Sequence, residues 1–102
     1  MKQARKHKPE KLITRVVNIR TYPFKDYVLV DRRTAFGNPF RIGVDGTRHE
    51  VCGKYQKYFY QKIKNDPCFE QEVLALAGCI LGCWCHPEEC HAHIIADFLN
   101  QD

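Results

Sequence analysis

The sequence predicts a small α/β domain, a two- or three-layer mixed sheet with about three helices in the order ββααβα. Three patterns predict it. Short runs rich in β-branched residues occupy 14–19 and 27–31, and apolar side chains recur at helical spacing through 48–77 behind a capping signal. A short apolar run at 79–85 then precedes a last amphipathic segment. The helical stretch between the second and last strands implies at least one parallel pair, because parallel neighbours need a crossover connection.

Each element follows from local chemistry. Ile13, Val16, Val17 and Ile19 give the first strand its character, and Tyr22-Pro23-Phe24-Lys25-Asp26 reads as a turn. Tyr27-Val28-Leu29-Val30 is nearly all apolar and reads as a central strand, which could pair with the first as a hairpin. Residues 31–40 are irregular, punctuated by Gly37 and Asn38-Pro39, with Phe36 and Phe40 placed to pin the loop to the core. Thr47-Arg48-His49-Glu50 is a capping box, opening a helix over 48–64 whose Val51, Tyr55, Phe59 and Ile63 share one face. Asp66 caps a further helix over 67–77, with Pro67 in its first position and Gly78 as its stop. Residues 79–85 read as a buried strand. The last helix is expected over 88–100, with Glu88 and Glu89 in the first turn, where the helix dipole favours acids.

A chain of 102 residues is read as a basic, flexible arm over 1–13 followed by one domain over 14–102. Residues 1–15 hold six basic side chains and one acidic, a balance of +5, so the remainder of the chain carries −1. Such an arm suits phosphate backbones or serves as a solubilising tail. No apolar run reaches the length of a membrane helix, and no apolar segment follows the basic start as in a secretory signal. The expected setting is therefore cytoplasmic, without membrane partners. Six cysteines, four of them within 79–90, are read as reduced thiols, because the two-residue separation of Cys83 and Cys85 on a strand is poor disulfide geometry.

The chemistry concentrates at two strand ends, where open α/β sheets collect ligands. Arg32, Arg33, Gly37, Asn38, Thr47 and Arg48 form the expected phosphate-binding set, with Arg41 close by; guanidinium forks and helix N-termini both suit anions. Cys85, Cys90 and His91 form the expected catalytic set, because a thiol at a helix N-terminus ionises more readily and an adjacent imidazole can serve as base. Cys83, Cys85, Cys90 and His93 offer a tetrahedral Cys₃His ligand set, which makes zinc a candidate cofactor. The alternative is that Cys79 and Cys83 are small core residues, a reading that suits Cys79 well and Cys85 poorly. Tyr58 and Tyr60 lie off the apolar helix stripe, placed either to stack on bases or to be partly buried.

Gly37-Asn38-Pro39-Phe40, Gly46-Thr47-Arg48 and Leu81-x-Cys83-Trp84-Cys85-x-Pro87-x-x-Cys90-His91, together with Asn18 and Arg32, resemble a small domain family of unknown function found in bacteriophages and bacteria. Ala92 stands where that pattern has glycine. The resemblance implies a phage or bacterial setting, hence the cytoplasm of a bacterial host, and names no activity. Together with the residues above it leads to a protein acting on nucleic acid or nucleotides, with hydrolysis (DNA strand nicking or glycosidic-bond cleavage) as the expected chemistry. Two alternatives stand beside it. One is a non-catalytic module that binds and inhibits a host protein, its Cys/His cluster structural. The other is a nucleotide-metabolite-binding domain.

Overall fold

Leu81, fully buried, sits between Val16 on one neighbouring strand and Val28 on the other, and this triplet organises the sheet of the computed structural model. The strands are β1 (Arg15–Asn18), β2 (Tyr27–Leu29) and β3 (Ile80–Cys83), in the order β1-β3-β2, with both pairings parallel. The helices are α1 (Arg48–Asn65), α2 (Pro67–Leu74) and α3 (His91–Asn100), so the α/β class and the order ββααβα are as expected. Residues 13–101 are described; apart from Ile13, the expected basic arm lies outside them.

The expected hairpin does not form. β3 inserts between β1 and β2, and no antiparallel pair occurs in the sheet among the described residues. Burial decides this: β3 carries the most apolar strand sequence and takes the centre, where both its edges are paired. Alternation along the strands puts Val16, Val28, Val30, Leu81 and Cys83 on one face. There they join Tyr55, Phe59, Phe69, Val73, Ile95 and Ala96 in a single core. All three helices contribute to that core, which makes the described domain two-layered. On the other face Gly82 has no room for a side chain: a Cβ would lie 2.5 Å from the Tyr27 ring and 2.7 Å from Ile19.

Local capping behaves as the sequence indicates. Thr47 Oγ1 accepts the Glu50 N–H at 3.2 Å and Glu50 Oε1 accepts the Thr47 N–H at 2.8 Å, the reciprocal capping box at the start of α1. Asp66 serves two helices: its N–H donates to the Lys62 carbonyl to close α1, and its carboxylate accepts the Phe69 N–H at 3.1 Å to open α2. α2 stops at Leu74, three residues early, because Leu76 and Ala77 turn back in tighter i, i+3 bonds while the Gly78 N–H is taken by buried Thr14. Thr14 and Asn100 exchange two further hydrogen bonds, of 2.9 and 3.0 Å, tying the start of β1 to the end of α3.

The last helix begins at His91 with Cys90 as its N-cap residue, three residues later than expected. Residues 84–90 instead form a turn that includes a cis His86–Pro87 peptide and a Glu88 N–H bond to the Cys85 carbonyl. Glu88 and Glu89 are thereby absent from its first turn; they reach Arg48 and His49 at the start of α1. None of the described helices is long and apolar enough to cross a membrane.

Candidate functional site

Because β2 and β3 are parallel neighbours, the segments that leave their carboxyl ends emerge side by side. Between them and the start of α1 lies a cavity of about 460 Å³, within the range of small-molecule sites. Asp31 and Arg32 enter it from the end of β2, Trp84 and Cys85 from the end of β3, and Cys90 and His91 from the start of α3. Phe40, Arg41, Ile42 and Val44 come from the loop before α1, and Arg48, Val51 and Cys52 from α1 itself.

The loop is held by its own motif. Gly37 passes so close to the preceding turn that a Cβ there would lie 2.4 Å from Arg32 Cα and 2.5 Å from the Asp31 carbonyl oxygen. Asn38 is buried, donates to the Val51 carbonyl at 3.2 Å and accepts the Phe40 N–H at 2.9 Å. The Tyr55 hydroxyl adds a bond to the Phe36 carbonyl at 2.8 Å, and burial pushes that phenol up. The loop carbonyls of Asn38 and Phe40 then accept from the Arg32 guanidinium, at 3.2 and 3.4 Å. Further on, Arg41 closes a turn in which Asp45 accepts its N–H; Gly43 and Gly46 occupy positive φ there, at 88° and 141°.

The charges are unevenly satisfied. Arg33 binds Asp31 through both Nε and Nη2, and with the Trp84 indole N–H it holds the Asp31 carboxyl at about 2, well below the carboxylate range. Arg48 is held at two points, the Glu89 carbonyl at 3.2 Å and the Glu88 carboxylate at 3.0 Å. Among the described residues neither the Arg32 nor the Arg41 guanidinium forms an ion pair with a carboxylate, and both residues line the cavity. Such an arrangement is suited to an anion.

The cavity wall carries a thiol–imidazole chain. His91 Nε2–H donates to the Val30 carbonyl at 2.6 Å, and burial lowers the imidazole below its ordinary value, so the ring is neutral with Nδ1 as an acceptor. That Nδ1 lies 3.6 Å from Cys90 Sγ. Cys90 is raised, by its hydrogen bond to Cys83 and by burial, which corrects the expectation of a lowered thiol at the helix start. The more acidic partner is Cys83, read from the sequence as a metal ligand or a core residue. The Cys90 thiol and the N–H groups of His86 and Cys85 pull it to about 6 against burial. All six cysteines are free, and Cys85 is the one cavity thiol that is not fully buried.

A family model described as a domain of unknown function, DUF4326, matches residues 14–101. The chain belongs to that family. It is also 34% identical over 90 residues to an uncharacterized 12.4 kDa protein from the nrdA-td intergenic region of Enterobacteria phage T4, across 87% of this chain and 80% of that one. No solved structure matches.

In this DUF4326 domain the cavity unites Arg32, Asn38 and Arg48 of the expected phosphate-binding set, and all of Cys85, Cys90 and His91. Arg33, Gly37 and Thr47 do not line it: Arg33 is paired to Asp31, Gly37 gives the loop its close approach, and Thr47 caps α1. The Cys83, Cys85, Cys90, His93 ligand set is not assembled. His93 lies beside His86, with Nε2 2.9 Å from its Nδ1, and among the described residues no three Cys, His, Asp or Glu groups converge to hold a metal ion. Tyr58 packs edge-on against Phe40 and Tyr60 against Phe59 and Phe98, and neither tyrosine lines the cavity.

Sequence reasoning missed Asp31, Trp84 and Asn18. The Asn18 amide donates to the carbonyls of Trp84 (3.2 Å) and His86 (2.9 Å), so the end of β1 secures the turn that carries Trp84 and Cys85. Its position at a strand end within the family pattern was the available signal.

Proposed function

We propose that this DUF4326 domain acts on nucleotides or nucleic acid, holding one nucleotide unit in the cavity between β2, β3 and α1, and that its chemistry is hydrolysis of a phosphodiester or N-glycosidic bond in a phage-infected bacterial cell. One observation carries the reading: two arginines without an ion-paired carboxylate among the described residues, Arg32 and Arg41, and a third, ion-paired one, Arg48, share a cavity with Trp84, Phe40 and the Cys85, Cys90 and His91 groups. The arginines suit phosphate, and the aromatic rings suit a base. The neutral His91 and the half-buried Cys85 thiol are the groups chemically able to accept a proton or attack.

The test has two parts. Calorimetric titration with nucleoside monophosphates and short single-stranded oligonucleotides reads binding, and chromatography of the same mixtures reads released base, phosphate or shortened strand. The proposal expects saturable binding that Arg32→Ala and Arg41→Ala weaken, and product formation that Cys85→Ser and His91→Ala remove while the variants stay folded. Binding without any product would leave a nucleotide-binding domain and remove the hydrolase. The absence of binding would overturn the proposal.

A second reading has its own observation. Ile42, Val44 and Trp84 are 52%, 78% and 41% exposed around the same cavity, an apolar rim suited to a protein surface. On this reading the domain docks on a host protein and the cysteines are structural. Retention of the cellular effect by folded Cys85→Ser and His91→Ala, with its loss in Val44→Asp, would favour it.

A further inference from the structure

Trp84 is two-fifths exposed, yet its indole is held by groups from beyond β1 and β2, and its backbone by the end of β1. Its Nε1–H donates to Asp31 Oδ2 at 3.1 Å, beyond β2. The Arg20 guanidinium, beyond β1, lies over the ring with its carbon 5.2 Å from the centroid. Its own carbonyl, beyond β3, accepts from Asn18. A surface tryptophan ordinarily keeps its place by burial; this one is fixed by polar anchors and still faces the cavity. The anchor is durable, because Asp31 stays ionised through its Arg33 pair.

We infer that Trp84 is the stacking platform for the nucleobase of the bound nucleotide and that Asp31 is its positioning residue. The inference rests on the nucleotide reading above and adds which end of the ligand goes where. The base stacks on the indole while the phosphate meets Arg32 and Arg41, so a sugar phosphate lacking a base binds without using Trp84. Fixing the ring in advance removes the ordering that a free tryptophan would lose on binding, so the stacking contributes to affinity in full. Base–aromatic stacking of ordinary strength corresponds to about 5- to 150-fold in affinity.

The probes are adenosine 5′-monophosphate and ribose 5-phosphate, titrated calorimetrically into the wild-type chain, Trp84→Ala, Trp84→Phe and Asp31→Asn, with thermal unfolding as the fold check. The expected result is a wild-type preference for the nucleotide of about 5- to 150-fold. Trp84→Ala brings the nucleotide down to the affinity of the sugar phosphate without moving the latter, and Trp84→Phe restores part of the gap. Asp31→Asn narrows the preference and shifts the emission of the chain's single tryptophan, which a purely structural role for Asp31 would not do selectively. Equal wild-type affinity for both probes, or a preference that Trp84→Ala leaves intact, overturns the inference while the nucleotide reading stands. Binding of neither probe overturns that reading and the inference with it.

Discussion

Asn18→Ala should separate the support of the site from the stability of the sheet. The side chain makes three bonds: Nδ2 to the carbonyls of Trp84 and His86, at 3.2 and 2.9 Å, and Oδ1 from the Arg20 N–H at 2.9 Å. Each is worth about 0.5–1.5 kcal/mol net, and partial exposure lets water replace some of it, which puts the loss at about 1.5–3 kcal/mol. For a domain of this size a loss of about 2 kcal/mol lowers Tm by roughly 8–16 °C. The chain's single tryptophan lies on the released turn, so Trp84 emission should change in the folded variant at temperatures well below its unfolding. Asn18→Asp should be no better than alanine, because a carboxylate keeps the acceptor for Arg20 but sets its second oxygen against two carbonyls. Unfolding followed by circular dichroism and by fluorescence would read both effects. Wild-type Tm and emission in Asn18→Ala would refute the argument that β1 holds this turn.

Gly37→Ala forces a Cβ to within 2.4 Å of backbone that cannot rotate away, so it should destabilise by about 1–3 kcal/mol in chemical denaturation, whereas a glycine that only contacts ligand would leave stability unchanged. Acid should weaken the fold. His91 and Cys83 both have lowered values, so their contribution is complete above their unfolded values of about 6.5 and 9. It is lost as pH falls, from the thiol between about 9 and 6 and from the imidazole below about 6.5; raised Cys90 reverses the slope above about 9. A urea midpoint constant from pH 9 to 5 would contradict this. Arg41→Ala should weaken nucleotide binding about 10- to 100-fold, as loss of a charged hydrogen-bonding group does, and flatten its salt dependence, with unfolding free energy within about 0.5 kcal/mol of wild type; equal affinity would remove Arg41 from the site.

Much of the fold was legible because the signals are local. Thr47 with Glu50, and Asp66 followed by Pro67, mark helix starts whose cap bonds span only three residues, and both caps form. The strand pairing was not local. The choice between a β1–β2 hairpin and a parallel sheet depended on β3, some fifty residues beyond β2, and on Leu81 burying itself between Val16 and Val28. The start of α3 failed for a related reason. Pro87, Glu88 and Glu89 satisfy the rules for a first helical turn, yet Arg48 and His49, forty residues away, draw the acids off. At the site, residue type indicated Arg32, Arg48, Cys85, Cys90 and His91, which do converge. It could not show that Asn38 spends both its side-chain polar atoms tying the loop to itself and to α1, or that Asp31 is committed to Arg33 and Trp84.

The most direct test of the central claim uses the Trp84 indole N–H, the single such group in the chain, in a nuclear magnetic resonance titration. Added adenosine 5′-monophosphate should shift that resonance, and the Nε–H signal of Arg32, saturably and with one shared dissociation constant, and Arg32→Ala with Arg41→Ala should abolish the saturation. Resonances that stay fixed at millimolar nucleotide, or saturable shifts confined to residues remote from the cavity, would contradict the claim that this cavity holds a nucleotide.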